Sequence, residues 1–278
     1  MGERLKSSLF KTLYGVILLV FLSATIFPFY WIVNTSLKTR EEIYATMSFL
    51  PLKPTLENYI ATFAQNNFGT YLSNSLTVTV TTAGIVLVVS ILGGYSLARY
   101  TFKGKNVIMA VLLITQMIPL ITAIIPMFSL YSRLRLTDTL YALIISYTVS
   151  NIPFCLITMS AFFKRIPITL EEAALIDGCG RFSCVTRVVL PVMTPGIVAV
   201  FVFAFTGCWN ELFFAIMMIN NDKRKTIPVG LINFVQKYEI NWGQMTAACA
   251  ITLVPVILMF FFVQKYIVAG LTQGAVKE

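Results

Sequence analysis

Histidine is absent from these 278 residues. That absence excludes His-based catalysis and His metal sites. Charge is scarce too: 12% of the residues are Asp, Glu, Lys or Arg. The five cysteines, Cys155, Cys179, Cys184, Cys208 and Cys249, form no C-x-x-C pair. Three of them fall in apolar runs, where cysteine behaves as a small hydrophobe, so neither a disulfide framework nor a metal site is expected. No G-x-x-x-x-G-K-[ST] phosphate loop occurs; beside Gly104-Lys105 the earlier glycine position is held by Arg99. The chain is therefore not expected to hydrolyse ATP itself. Paired catalytic carboxylates are missing as well, which argues against a membrane enzyme.

What the sequence has is apolar surface. Hydrophobic residues make up 57% of it, and the mean hydropathy is +0.80. A soluble chain of this length cannot hide that much. A bilayer core about 30 Å thick needs about 20 apolar residues per helical crossing. Six windows qualify, near Leu13–Val33, Leu72–Leu97, Val107–Leu130, Leu140–Phe163, Val192–Ile219 and Met245–Val268. The expected fold is all-α: a polytopic membrane protein with six transmembrane helices. The first window follows Arg4, Lys6 and Lys11, but its apolar character continues through Phe27 and Trp31. That is long for a secretory signal, and an uncleaved helix is expected. The expected organisation is a tail at 1–12, a membrane domain at 13–268 and a second tail at 269–278.

The net charge is +9. No basic stripe with interleaved aromatics accompanies it, so the cations are assigned to loops beside anionic headgroups rather than to nucleic acid. With six crossings both termini share one side. If that side is cytoplasmic, 12 of the 21 Lys and Arg residues lie inside. The bias is weak but of the right sign. Thr35–Tyr71 and Asn220–Gln244 then become long outer loops.

The block from 165 to 191 breaks the apolar pattern. It holds Glu171, Glu172 and Asp177 with Arg165, Arg181 and Arg187. Thr169-Leu170-Glu171-Glu172 fits a capping box. Two alanines follow, and Gly178 and Gly180 can supply the positive φ that ends a helix. Phe182, Val185, Val188 and Val189 repeat at helical spacing. The pattern predicts a helix–turn–helix elbow at the membrane surface. Composition alone fits equally an amphipathic loop resting on headgroups.

The spacing is more specific than the composition. Glu172-Ala173-Ala174, Gly178, Val188, Leu190 and Pro191 resemble the EAA signature of ABC-importer permeases, with valine where isoleucine is usual. Other stretches, in order, resemble the carbohydrate branch of that family, the maltose-transporter MalG type. They include Pro28–Ile43, Pro54–Tyr59, Asn74–Leu76, Tyr95–Arg99, Gln116–Phe128, Trp209–Ala215 and Gly270–Glu278. The resemblance implies a coupling helix in the elbow that sits in a groove of a cytoplasmic ATPase. Ala173 and Ala174 would permit close approach, Glu171, Glu172 and Asp177 would face basic groups of that partner, and Gly178 would allow the turn. It also implies a second permease subunit, two ATPase subunits or domains that use ATP and Mg, and an extracytoplasmic solute-binding protein. The setting would be a bacterial or archaeal plasma membrane, with both termini cytoplasmic. The chain itself would bind no cofactor and no nucleic acid. In such relatives the last outer loop reaches toward the binding protein, which points to Asn233 and Tyr238.

A sugar needs planar amides, carboxylates and aromatic faces. Gln116, Asn151, Asn210 and Glu211 lie in apolar windows and are the candidates for its path. A charge in lipid is costly, so Glu211 is expected to face protein or water, either as a structural carboxylate or on the path itself. Helix–helix hydrogen bonding explains Gln116 and Asn151 equally well. Pro119, Pro126 and Pro153 are expected to interrupt spans. Two alternatives stand beside the sugar importer: the same machinery carrying glycerol phosphate or another polar solute, and an ion-coupled secondary transporter. Against the latter stand a single intramembrane acid and no evident internal repeat.

Overall fold

The computed structural model describes residues 2–45, 47–65, 67–232, 234–235 and 240–272, with side chains described from 10 to 266. Asn233 and Tyr238 lie outside the described residues. Nearly all regular structure is helical; the described residues contain one isolated bridge, Val235 with Ile240, and no strand. Among the described residues, four unbroken helices are long and apolar enough to cross a membrane: Phe10–Ser36, Phe68–Arg99, Leu140–Arg165 and Trp242–Tyr266. Two bent pairs, Lys105–Met117 with Leu120–Arg133 and Arg181–Val192 with Thr194–Trp209, bring the count to six if each pair is one crossing.

The two bends have local causes. The first is 99°. Ile118 adopts an extended conformation (φ −79°, ψ 121°) ahead of Pro119; a residue before proline is pushed out of the α region, and proline brings no N–H to the next turn. The other two prolines behave differently from expectation: Pro126 and Pro153 sit inside helices that continue through them. The second bend, 77°, falls at Met193, between Pro191 and Pro195. The fifth window is also not one helix. It stops at Trp209 and resumes at Phe213–Met218.

The chain divides into two compact units. One comprises Met1–Phe68 and Leu231–Val254. Its loop after Ser36 is fixed by polar contacts. The amide of Asn58 donates to the carbonyls of Ser36 (2.9 Å) and Lys38 (2.8 Å). Glu42 Oε1 accepts from the Ser48 hydroxyl and the Leu52 N–H, both at 2.8 Å. Lys38 Nζ lies 5.0 Å from the Trp31 ring centroid. Burial by itself raises the Glu42 carboxyl, but the Leu52 N–H, the Ser48 hydroxyl, the Lys53 backbone and the Lys38 charge outweigh it and hold the group below the ordinary glutamate range.

The other unit comprises Gly69–Gly230 and Pro255–Glu278. Its core joins Val78, Tyr131, Leu143, Tyr147, Phe214 and Met218, each at most 4% exposed. Helix Leu140–Arg165 lies at the centre and packs against Thr194–Trp209 and Lys105–Met117. Small residues allow its neighbours in close: a Cβ on Gly94 would fall 2.9 Å from Met159 Cβ and 3.0 Å from the Ser160 nitrogen. Close backbone approach of this kind is the usual basis of helix pairing in lipid.

Candidate functional site

The elbow is built from three short pieces, Ile168–Ile176, Arg181–Cys184 and a π-helical turn at Val185–Val189. The capping box expected at Thr169 does not form. The helix begins two residues earlier, at Ile168 behind Pro167 at φ −58°, with no side-chain cap; the fixed φ of proline is already suited to a helix entrance. The C-terminus ends as the glycine spacing predicts. Gly178 has φ +88°, its N–H donates to Leu175 O (3.1 Å), and the Cys179 N–H donates to Ala174 O (3.0 Å). This pair of bonds is a Schellman motif.

The helix separates the candidate coupling residues into two sets. Glu172, Ala173, Asp177 and Gly178 are exposed, whereas Glu171 and Ala174 are buried at 7% each. Glu171 turns into its own chain: Oε1 accepts from Arg99 Nε at 2.6 Å, and Oε2 accepts from the Tyr95 hydroxyl at 2.8 Å. Arg99 also donates to the carbonyl of Ile166 at 3.0 Å. Beside the exposed carboxylates stand two large apolar groups, Ile176 at 85% and Phe182 at 82% exposure. Phe182 therefore does not share the buried face of Val189, seven residues on, as a regular helix through this stretch would require.

A second site lies among the membrane-spanning helices. A cavity of about 580 Å³ is lined by Gln116, Asn151 and Glu211, with Tyr147, Phe154 and Phe203 among its other walls. Phe154 and Phe203 stack with ring centroids 4.0 Å apart. The structure thus brings three of the four candidate path residues to one cavity. The fourth, Asn210, is exposed outside that lining and donates to the Thr206 carbonyl at 3.0 Å. Gln116 stands in the last turn before the Ile118–Pro119 break. Asn151 donates to the Tyr147 carbonyl at 2.8 Å.

Glu211 occupies the break between the two helices of the fifth window. Its carboxylate accepts from the N–H groups of Phe214 (3.0 Å) and Ala215 (3.3 Å), and from the Tyr147 hydroxyl (2.8 Å). It therefore satisfies free donors at the start of Phe213–Met218, where a negative group is also favoured by the helix dipole. The carboxylate is structural and faces the cavity at once. Missing from the sequence reading were Tyr147, Tyr95 and Arg99 as partners of these acids. The stretch holding Tyr95 and Arg99 carried only a family likeness, with no partner legible from spacing.

Residues 90–273 match the family described as the binding-protein-dependent transport system inner membrane component. Relatives extend over nearly the whole chain. It is 34% identical to the sulfoquinovosyl glycerol transport system permease protein SmoH of Agrobacterium fabrum, over 91% of this chain and 89% of that one. It is 32% identical to the diacetylchitobiose uptake system permease protein DasC of Streptomyces coelicolor, over 98% of this chain and 100% of that one. Its fold matches a chain in the crystal structure of a bacterial ABC transporter involved in the import of the acidic polysaccharide alginate. There the TM-score is 0.82 at 21% identity, covering 94% of this chain and 98% of that one. The chain belongs to the binding-protein-dependent transport family, as an inner-membrane permease of an ABC importer.

Proposed function

We propose that the solute is a sugar or oligosaccharide and that this chain forms half of its path across the plasma membrane. The relatives named for glycosides support the solute class, and the cavity supplies chemistry that suits it: two planar amides, a carboxylate and stacked aromatic faces. The other half of the path is a second permease subunit. An extracytoplasmic binding protein delivers the sugar to the outer loops, with Asn233 and Tyr238 in the docking segment.

The observation that carries the coupling role is the exposed face of the elbow. Ile176 and Phe182 stand almost fully exposed beside Glu172 and Asp177. Large apolar groups ringed by charge mark a protein contact. Its occupant is a separate ATPase subunit, one of two, which uses ATP and Mg. On this reading the elbow and both termini lie in the cytoplasm. The chain does no chemistry; it transmits work done by the ATPases. Calorimetry on the binding protein that serves this permease tests the solute class. A sugar ligand is expected, and selective retention of glycerol phosphate or another non-sugar would overturn the carbohydrate assignment.

A further inference from the structure

The end of helix Phe68–Arg99 grips the elbow on both arms. Arg99 and Tyr95 hold the Glu171 carboxylate, at 2.6 and 2.8 Å. Arg99 also ties down the Ile166 carbonyl just ahead of the elbow helix. On the far arm, Arg181 donates to the Tyr100 hydroxyl at 3.3 Å. Tyr95 is itself wedged edge-on against Phe163, with centroids 5.4 Å apart. The Arg99 and Glu171 side chains are each 9% exposed. A screened surface pair would hold little; a desolvated, bidentate-capable guanidinium with a carboxylate fixes two elements in one geometry.

We propose that this Arg99–Glu171–Tyr95 cluster is the link that carries elbow displacement into helix Phe68–Arg99. Glu171 is then a positioning residue and not a contact to the ATPase. The division of labour follows from the helix period. Glu172 and Asp177 face outward toward the partner, and Glu171 with Ala174 faces inward to the membrane helices. A push on the exposed face reaches the inward face through one turn of helix. From there a charged clamp passes it to a helix 32 residues long. Without the clamp, the elbow can move while that helix stays where it is. The proposal rests on the elbow docking an ATPase, as argued above.

The test uses the complete transporter in lipid nanodiscs, with spin labels at Arg187 and Val88, both exposed, and Mg-ATP as the probe. In the unsubstituted chain the label-to-label distance should be the same with and without Mg-ATP, because elbow and helix move together. In Glu171→Gln and Arg99→Met the distance should broaden and shift on adding Mg-ATP, while the ATPase still copurifies. Arg99→Lys, which keeps the charge, should recover part of the fixed distance. Tyr95→Phe removes a single donor and keeps the ring on Phe163, so it reads the same effect if the charge variants fail to assemble. An unchanged distance in Glu171→Gln, Arg99→Met and Tyr95→Phe overturns the link. Loss of ATPase copurification in Glu171→Gln with the distance intact makes Glu171 a docking residue and also overturns it. A failure of the docking reading is distinct: no ATPase would copurify even with the unsubstituted chain.

Discussion

Substitution at Gly178 separates backbone strain from partner contact. Gly178 holds the left-handed position of the Schellman turn that ends the elbow helix. A non-glycine residue pays about 1–2 kcal/mol there, a factor of roughly 5 to 30 in the population of the native turn. Among the described residues nothing adds to that cost, because a Cβ at this position would meet no heavy atom of theirs within 4 Å. Asparagine tolerates left-handed backbone better than alanine, and β-branched valine tolerates it worst. If strain decides, coupling should fall in the order Gly, Asn, Ala, Val. If the wall of an ATPase groove decides, side-chain size takes over and Ala should exceed Asn. We expect the first order. The assay is the reconstituted complex in vesicles, comparing uptake, stimulated ATP hydrolysis and ATPase copurification. Gly178→Val should insert normally, since no apolar run is touched, yet dock its ATPases poorly and lose both activities together. Unimpaired coupling in Gly178→Val would refute the elbow assignment, and Ala above Asn would refute the strain argument.

Gly94→Ala should destabilise the detergent-purified chain by about 1–3 kcal/mol, seen as a lower Tm, because its Cβ would press on Met159 and on backbone at Ser160. Glu211→Gln leaves one acceptor oxygen where three donors converge; a cost of about 1–3 kcal/mol is expected, with reduced uptake, and full uptake would remove Glu211 from the solute path. The Glu42 carboxyl is lowered in the folded chain, so its stabilisation is complete above the unfolded glutamate value and is lost as pH falls through the folded one. Protection of the Leu52 amide, taken against the intrinsic exchange rate at each pH, should therefore fall only in that acid range, and Glu42→Gln should abolish the pH step.

Apolar length was legible throughout, because a crossing helix must be long and greasy whatever it packs against. Gly178 and Pro119 were legible because each acts through its own backbone. The break at Asn210–Leu212 was not: it carries neither proline nor glycine, and its cause is a cap by Glu211 that only the folded chain reveals. Pro126 and Pro153 misled in the opposite direction, since membrane-crossing helices can continue through proline where local adjustment re-satisfies the freed backbone groups. The inward turn of Glu171 depends on Arg99, 72 residues earlier, and local spacing holds no trace of such a partner. The exposed pair Ile176 and Phe182 is likewise a property of the folded elbow, in which the stretch after Gly180 departs from a regular helix.

We propose that this chain transmits work done by separate ATPases and has no energy source of its own. The direct measurement is uptake into proteoliposomes of the sugar that the binding protein retains. The complete transporter is compared with the two permease subunits alone, each with ATP or with an imposed proton or sodium gradient. Uptake should require the ATPases, ATP and the loaded binding protein together, and be indifferent to the gradient. Gradient-driven uptake by the permease subunits without ATPase would contradict the account.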